Sequence, residues 1–159
     1  MFYTKLQQAH ELKQALDLLK SQGKKIVFTN GCFDLIHAGH VHYLQKAKDL
    51  GDILVIGLNS DTSLKRLKGD SRPLFPEAER AEILSALNSV DFLCLFQEDT
   101  PFEIINLLKP NILVKGGDYH LEDIVGRDVV VENGGRVVTI PFLAGKSTTN
   151  IIEKVLSLT

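Results

Sequence analysis

His37 and His40 are the side chains whose type and spacing first suggest chemistry: three positions apart, they close the stretch Thr29-Asn-Gly-Cys-Phe-Asp-Leu-Ile-His-Ala-Gly-His40. An apolar run, Ile26-Val27-Phe28, precedes this stretch, and a helical pattern of Val41, Leu44 and Ala47 follows it. A strand should therefore feed a glycine-containing turn and then a helix start. Such a start points free N–H groups and the positive end of the helix dipole at whatever lies above the turn. On the first helical turn the two imidazoles share a face. Two imidazoles beside an anion-binding helix start suit a developing negative charge, and phosphate chemistry is the leading expectation.

Two further segments carry unusual residues. Lys115-Gly-Gly-Asp-Tyr119 leaves the apolar run Ile112-Leu-Val114, and its glycines permit close backbone approach. Gly145-Lys-Ser-Thr-Thr-Asn150 introduces a last helical pattern through Ile151, Ile152 and Val155. Hydroxyls and N–H groups at that start can hold phosphates, or Ser147 can simply cap the helix.

The elements that must position these segments follow from periodicity. Leu6, Ala9, Leu12, Leu16 and Leu19 predict a helix over 4–22, ended by Gly23. Strands are predicted at 25–30, 53–56, 92–96, 112–114 and 137–140. Between them, helices are predicted over 38–50, from Pro76 to Leu87, and near 126–133, with a short helical or irregular stretch around 61–67. Thr100-Pro-Phe-Glu103 has the spacing of a capping box with Pro at the first helical position, predicting a helix to Leu108. Lys65 to Pro76 reads as a mobile polar loop. Five strands alternating with helices predict an α/β fold, a doubly wound five-stranded parallel sheet of Rossmann-like kind. Ligands bind such sheets at the carboxyl ends of the strands, so the three unusual loops should converge on one rim.

Composition narrows the classes. The 159 residues fit one domain, 1–159, with a single sizeable core. A net charge of −2 gives no broadly basic surface for nucleic acid. No apolar run has membrane-spanning length, and the polar start is no signal peptide, which leads to the expectation of a cytoplasmic protein. Cys32 and Cys94 lack zinc or redox spacing and read as small buried hydrophobes. His10, His42 and His120 read as surface residues, and Arg80 as an internal ion-pair partner.

Gly31-Cys-Phe-Asp34 with His37-Ala-Gly-His40 resembles the signature of the HxGH nucleotidyltransferase superfamily, in its cytidylyltransferase-like branch. Ser147-Thr-Thr149 looks like that branch's second signature. Leu64 to Pro73, Glu98-Asp-Thr-Pro101, Val114 to Tyr119 and Ser147 to Ile152 are most similar to the heptose 1-phosphate adenylyltransferases, across about residues 25–157. That subfamily is often fused to a heptose kinase, so the resemblance implies the stand-alone form here. It implies transfer of AMP from ATP to a sugar 1-phosphate, with release of pyrophosphate and no covalent intermediate. Enzymatic alternatives are a glycerol- or ethanolamine-phosphate cytidylyltransferase and an FAD synthetase-like adenylyltransferase. The non-enzymatic alternative is a nucleotide-binding regulatory module, which has no need of transition-state donors.

The resemblance also implies residue roles. His37 and His40 become donors to the transferring phosphates, and Lys68 reaches over the triphosphate from a loop it shares with Lys65 and Arg72. Asn30, Gly31, Cys32, Phe33 and Gly39 line the nucleotide, with Ser147, Thr148 and Thr149 on its phosphates. Asp34 either orients the turn or helps organise a bound metal. Arg72, Lys115, Gly117, Asp118 and Tyr119 face the acceptor, Lys115 toward its phosphate and Asp118 toward a sugar hydroxyl or the ribose. No protein metal site is expected, and Mg²⁺ should arrive with ATP. Relatives often pair as homodimers, and the leucine stripe of the first helix suits either its own sheet or a partner.

Overall fold

The computed structural model describes residues 5–117 and 119–159. Its strands are β1 (Ile26–Gly31), β2 (Ile53–Asn59), β3 (Phe92–Phe96), β4 (Ile112–Gly116) and β5 (Arg136–Ile140). They form one sheet in the order β3-β2-β1-β4-β5, with every pairing parallel. The chain steps outward from β1 to β3, then returns to the other side of β1 for β4 and β5, so the switch point lies between β1 and β4. Around the sheet lie α1 (Ala9–Ser21), α2 (Ala38–Lys48), α3 (Asp61–Lys68), α4 (Glu77–Ser85), α5 (Phe102–Leu108), α6 (Arg127–Glu132) and α7 (Thr148–Ser157).

Side chains alternate across a strand, and here both faces are covered. Val27, Leu54, Ile56, Leu58 and Val114 pack with Leu44 and Ala47 of α2 and Ala81 and Leu84 of α4. Ile26, Phe28, Val55 and Leu113 pack on the other face with Leu12 and Leu16 of α1, Ile104 and Leu108 of α5, and Val130 of α6. The leucine stripe of α1 thus belongs to its own sheet.

Several expected elements differ in extent. The first helix begins at Ala9, because Leu6 instead bridges Leu93 in parallel and the Gln7 N–H donates to Leu93 O at 2.9 Å. The open edge of β3 attracts that backbone, since a strand edge presents unpaired carbonyls. The capping box at Thr100 does not form: Pro101 itself is the N-cap, with φ −80° and ψ 13°, and no side chain caps the helix. Thr100 lines a cleft instead. The polar segment from Lys65 is helical as far as Lys68, because Ser60 caps α3 by accepting from the Ser63 N–H at 3.2 Å. Gly69, at φ +97°, ends that helix, and the loop is confined to 69–76.

Candidate active site

A cleft of about 790 Å³ opens at the carboxyl ends of the strands, where all three unusual loops meet. β1 delivers Asn30 and Gly31 to it, followed by Cys32, Phe33 and Asp34 in the turn. Phe33 adopts φ +47° and is buried, with its ring over Gly31. A Cβ on Gly31 would stand 2.9 Å from that ring, so any side chain there would have to displace it.

The turn delivers His37 as the N-cap of α2, with His40 at its third position. His37 Nδ1 accepts from the Gly39 N–H at 3.1 Å, and His40 Nδ1 accepts from the His37 N–H at 3.3 Å. This is a capping box built from two imidazoles in place of the usual hydroxyl and carboxylate. The rings pack with centroids 3.9 Å apart. A neutral imidazole has one donor nitrogen and one acceptor nitrogen, so both protons sit on Nε2. Each ring therefore keeps one N–H donor for the cleft that it lines. Burial, then the neighbouring His37, pushes the His40 pKa down to about 4. Burial, then the charge of Lys146, lowers that of His37. Gly39 is equally constrained: a Cβ there would lie 2.8 Å from the His37 ring and 3.1 Å from Lys146 Cβ.

Asp34 is 3% exposed, and its carboxylate accepts from Arg72 Nε at 2.5 Å and from the Leu74 and Phe75 N–H groups at 2.8 and 2.9 Å. Burial raises its pKa, but the two backbone donors and Arg72 outweigh that and hold it below the ordinary carboxylate value. Of its two expected roles, the contacts match orientation of the turn. They also tie down the 69–76 loop that composition suggested was mobile. Arg72 lines the cleft while paired to Asp34. Arg80, fully buried, donates to the carbonyls of Phe75, Cys32 and Asn59 and to the Asp61 carboxylate. It is the internal ion-pair partner expected, and it gathers the ends of β1 and β2 with the loop before α4.

On the opposite flank, Ser147 caps α7 by accepting from the Asn150 N–H at 3.0 Å, and Thr148 Oγ1 donates to Leu35 O at 3.2 Å. Thr149 is exposed at the cleft. Lys115, next to last in β4, is half-buried, with Nζ 5.5 Å from the centroid of the Tyr119 ring, and burial lowers its pKa. Gly117, at φ +93°, donates its N–H to Ile140 O at 2.9 Å. Asp118 lies outside the described residues. Lys68 lines the cleft from the last turn of α3, and Lys65 does not. Tyr43, below the floor, meets Thr29 Oγ1 at 2.7 Å and Val114 O at 3.4 Å, joining β1 to β4 across the switch point.

The cleft also contains Asn59, Asp99, Thr100, Phe142 and Lys146, which the sequence reading did not place there. Lys146 stands beside Ser147 and so had a signal in the sequence. Phe142 had none, because an aromatic residue after a strand reads as core. Among the described residues, no group of three or more His, Cys, Asp or Glu side chains could hold a metal ion.

This geometry, two neutral imidazole donors at one helix start facing a second helix start, suits charge developing on phosphate. A family model described as cytidylyltransferase-like matches residues 28–154. The chain belongs to that family. It is a nucleotidyltransferase domain. Among its relatives is the bifunctional protein HldE of Trichlorobacter lovleyi, 58% identical over 153 residues, which are 96% of this chain and 31% of that one. HldE of Geobacter metallireducens is 59% identical over 152 residues, with the same two coverages. The chain thus spans under a third of the length of these relatives. A lipopolysaccharide core biosynthesis protein from Thermoplasma volcanium superposes with a TM-score of 0.62 at 31% identity, covering 76% of this chain and 98% of that one. A pantoate-β-alanine ligase from Francisella tularensis shares the fold at a TM-score of 0.60 and 15% identity. No helix among the described residues is long and apolar enough to cross a membrane.

Proposed function

We propose that the protein transfers AMP from ATP to heptose 1-phosphate, giving ADP-heptose and pyrophosphate. A phosphate oxygen of the sugar attacks the α-phosphorus in line as the bond to the β-phosphate oxygen breaks, and pyrophosphate leaves with that electron pair. The nucleophile is already an anion, so no general base and no covalent intermediate are needed. Positioning and electrostatic stabilisation then supply the rate enhancement.

The observation that carries this reading is the pair of imidazoles whose Nδ1 atoms are both taken, leaving two neutral Nε2–H donors at the start of α2. The α7 start, with Ser147, Thr148 and Thr149, takes the β- and γ-phosphates, and Lys68 reaches the triphosphate from α3. Lys115 and Arg72 offer cations to the acceptor phosphate. Asp34 already has three donors, so the acceptor finds that carboxylate engaged. Mg²⁺ enters bound to the triphosphate and offsets its charge. The choice of heptose and ATP draws on the motif resemblance and on the HldE and lipopolysaccharide-core names of the relatives.

The test is pyrophosphate release with Mg²⁺, each nucleoside triphosphate and a panel of sugar and alcohol phosphates. Release with ATP and heptose 1-phosphate is expected. Release only with CTP and an alcohol phosphate overturns the reading in favour of a cytidylyltransferase.

A further inference from the structure

Phe142 is 69% exposed, yet it stands inside the cleft wall, two residues beyond the end of β5. Its ring lies on the backbone of Gly116 and Gly117, at the end of β4. A Cβ on either glycine would come within 2.7 Å of a ring carbon. The paired glycines therefore make a side-chain-free bed for this ring. Tyr43 reaches the same spot from below, 3.2 Å from where a Gly116 Cβ would be. Phe142 belongs to neither core cluster, and most of its ring surface stays open to the cleft.

The two ends of the cleft differ chemically. The end at β2 and β3 carries Asn59, Asp99 and Thr100, which suit the hydroxyl groups of an acceptor. The end at β4 and β5 carries Lys115 and Lys146, and beside them a glycine backbone and the exposed rings of Phe142 and Tyr119. A triphosphate lying between the starts of α2 and α7 leaves its nucleoside one of these two ends. A nucleobase is a flat π-system whose burial gains from an aromatic face, while a sugar phosphate gains from polar side chains.

We infer that Phe142 is the nucleobase-stacking residue of this site, seated on the Gly116–Gly117 bed by one ring face and offering the base the other. This rests on the nucleotidyl-transfer reading and deepens it. Stacking tolerates any base because every base has a π-face, so Phe142 sets nucleotide affinity and leaves base choice to edge contacts.

The chain contains no tryptophan, so Phe142→Trp introduces a single indole fluorophore at this spot. ATP should quench it, and inorganic tripolyphosphate, which has the phosphates but no base, should leave it unchanged. Phe142→Ala should raise KM for ATP by about tenfold, move kcat much less and leave inhibition by tripolyphosphate as it was. Phe142→Tyr should keep the wild-type KM. An indole signal left unquenched at saturating ATP overturns the proposal, as does equal weakening of ATP and tripolyphosphate in the alanine variant. ATP that quenches the indole in a protein inactive on heptose 1-phosphate would sink the substrate assignment and leave the stacking role standing.

Discussion

On the β1–α2 flank of the cleft, Asp34 is 3% exposed and Arg80 fully buried, and both are fully engaged: Arg72, Leu74 and Phe75 hold the acid, while the base holds Phe75, Cys32, Asn59 and Asp61. On the β5–α7 flank, α7 buries none of its ten residues, Val155 and Leu156 are exposed, and its start is held by the Ser147 cap and the Thr148 contact to Leu35. The first flank is built before substrate arrives. Donors fixed in advance need no reorganisation as charge develops, and that is where the two imidazoles sit. The second flank has few buried contacts, the mark of a region that opens locally at low free-energy cost. In the proposed reading, chemistry is thus anchored on the rigid side, while the side that admits and releases nucleotide is loosely held.

The sharpest way to break this comparison is at the imidazoles. His37→Ala or His40→Ala should lower turnover by on the order of 10²–10³ while the circular dichroism of the fold is retained. Wild-type turnover in either would show that the rigid flank does not hold the reacting phosphates. Next comes Arg80→Met, which leaves three carbonyls without their donor and Asp61 without its partner. We expect a loss of about 3 kcal/mol, read as a lower urea midpoint. A midpoint within error of wild type would mean that the flank is rigid for some other reason.

Asp34→Asn tests the same wall through pH. The folded-state pKa of Asp34 is lowered, so its stabilisation is present above the unfolded carboxylate value and is lost as pH falls through the folded one. The asparagine variant should show faster hydrogen exchange at Leu74 and Phe75 near neutral pH, and a shallower loss of stability in acid. Unchanged exchange would remove Asp34 as the tie on the loop. The loose flank should respond least: Ser147→Ala deletes one helix cap, costing about 1 kcal/mol locally, with fraying of α7 seen by exchange and little change in the global midpoint.

A last measurement concerns charge alone. With its pKa near 4, His40 stays neutral in the fold while the unfolded chain takes up a proton below about 6.5. Stability should therefore fall as pH drops across that window. An NMR titration of the ring in the free protein should show a midpoint near 4; one near 6.5 would contradict the buried, neutral pair.

Most of the fold was legible because its strands are continuous apolar runs and its helices carry regular stripes, and both signals are local. The boundaries that failed did so for two reasons, one nonlocal and one a shift of a single position. Leu6 left its helix to pair with the edge at Leu93, and Thr100 lost its capping role when Pro101 took the N-cap position. In the site, the histidines, the turn and the α7 start were readable because motif and helix start coincide in sequence. Asp34 shows the limit: its residue type left two roles open, and only the approach of Arg72, Leu74 and Phe75 gives the one its contacts match.

By itself, the sequence determined which residues stand at the ends of strands and the starts of helices, because periodicity and capping act over a few positions. Tertiary structure alone decided what those residues face. It joined Arg80 to three carbonyls from separate segments, and laid Phe142 on Gly116 and Gly117. Each of these depends on parallel strands distant in the chain ending side by side, a distance that no local pattern encodes.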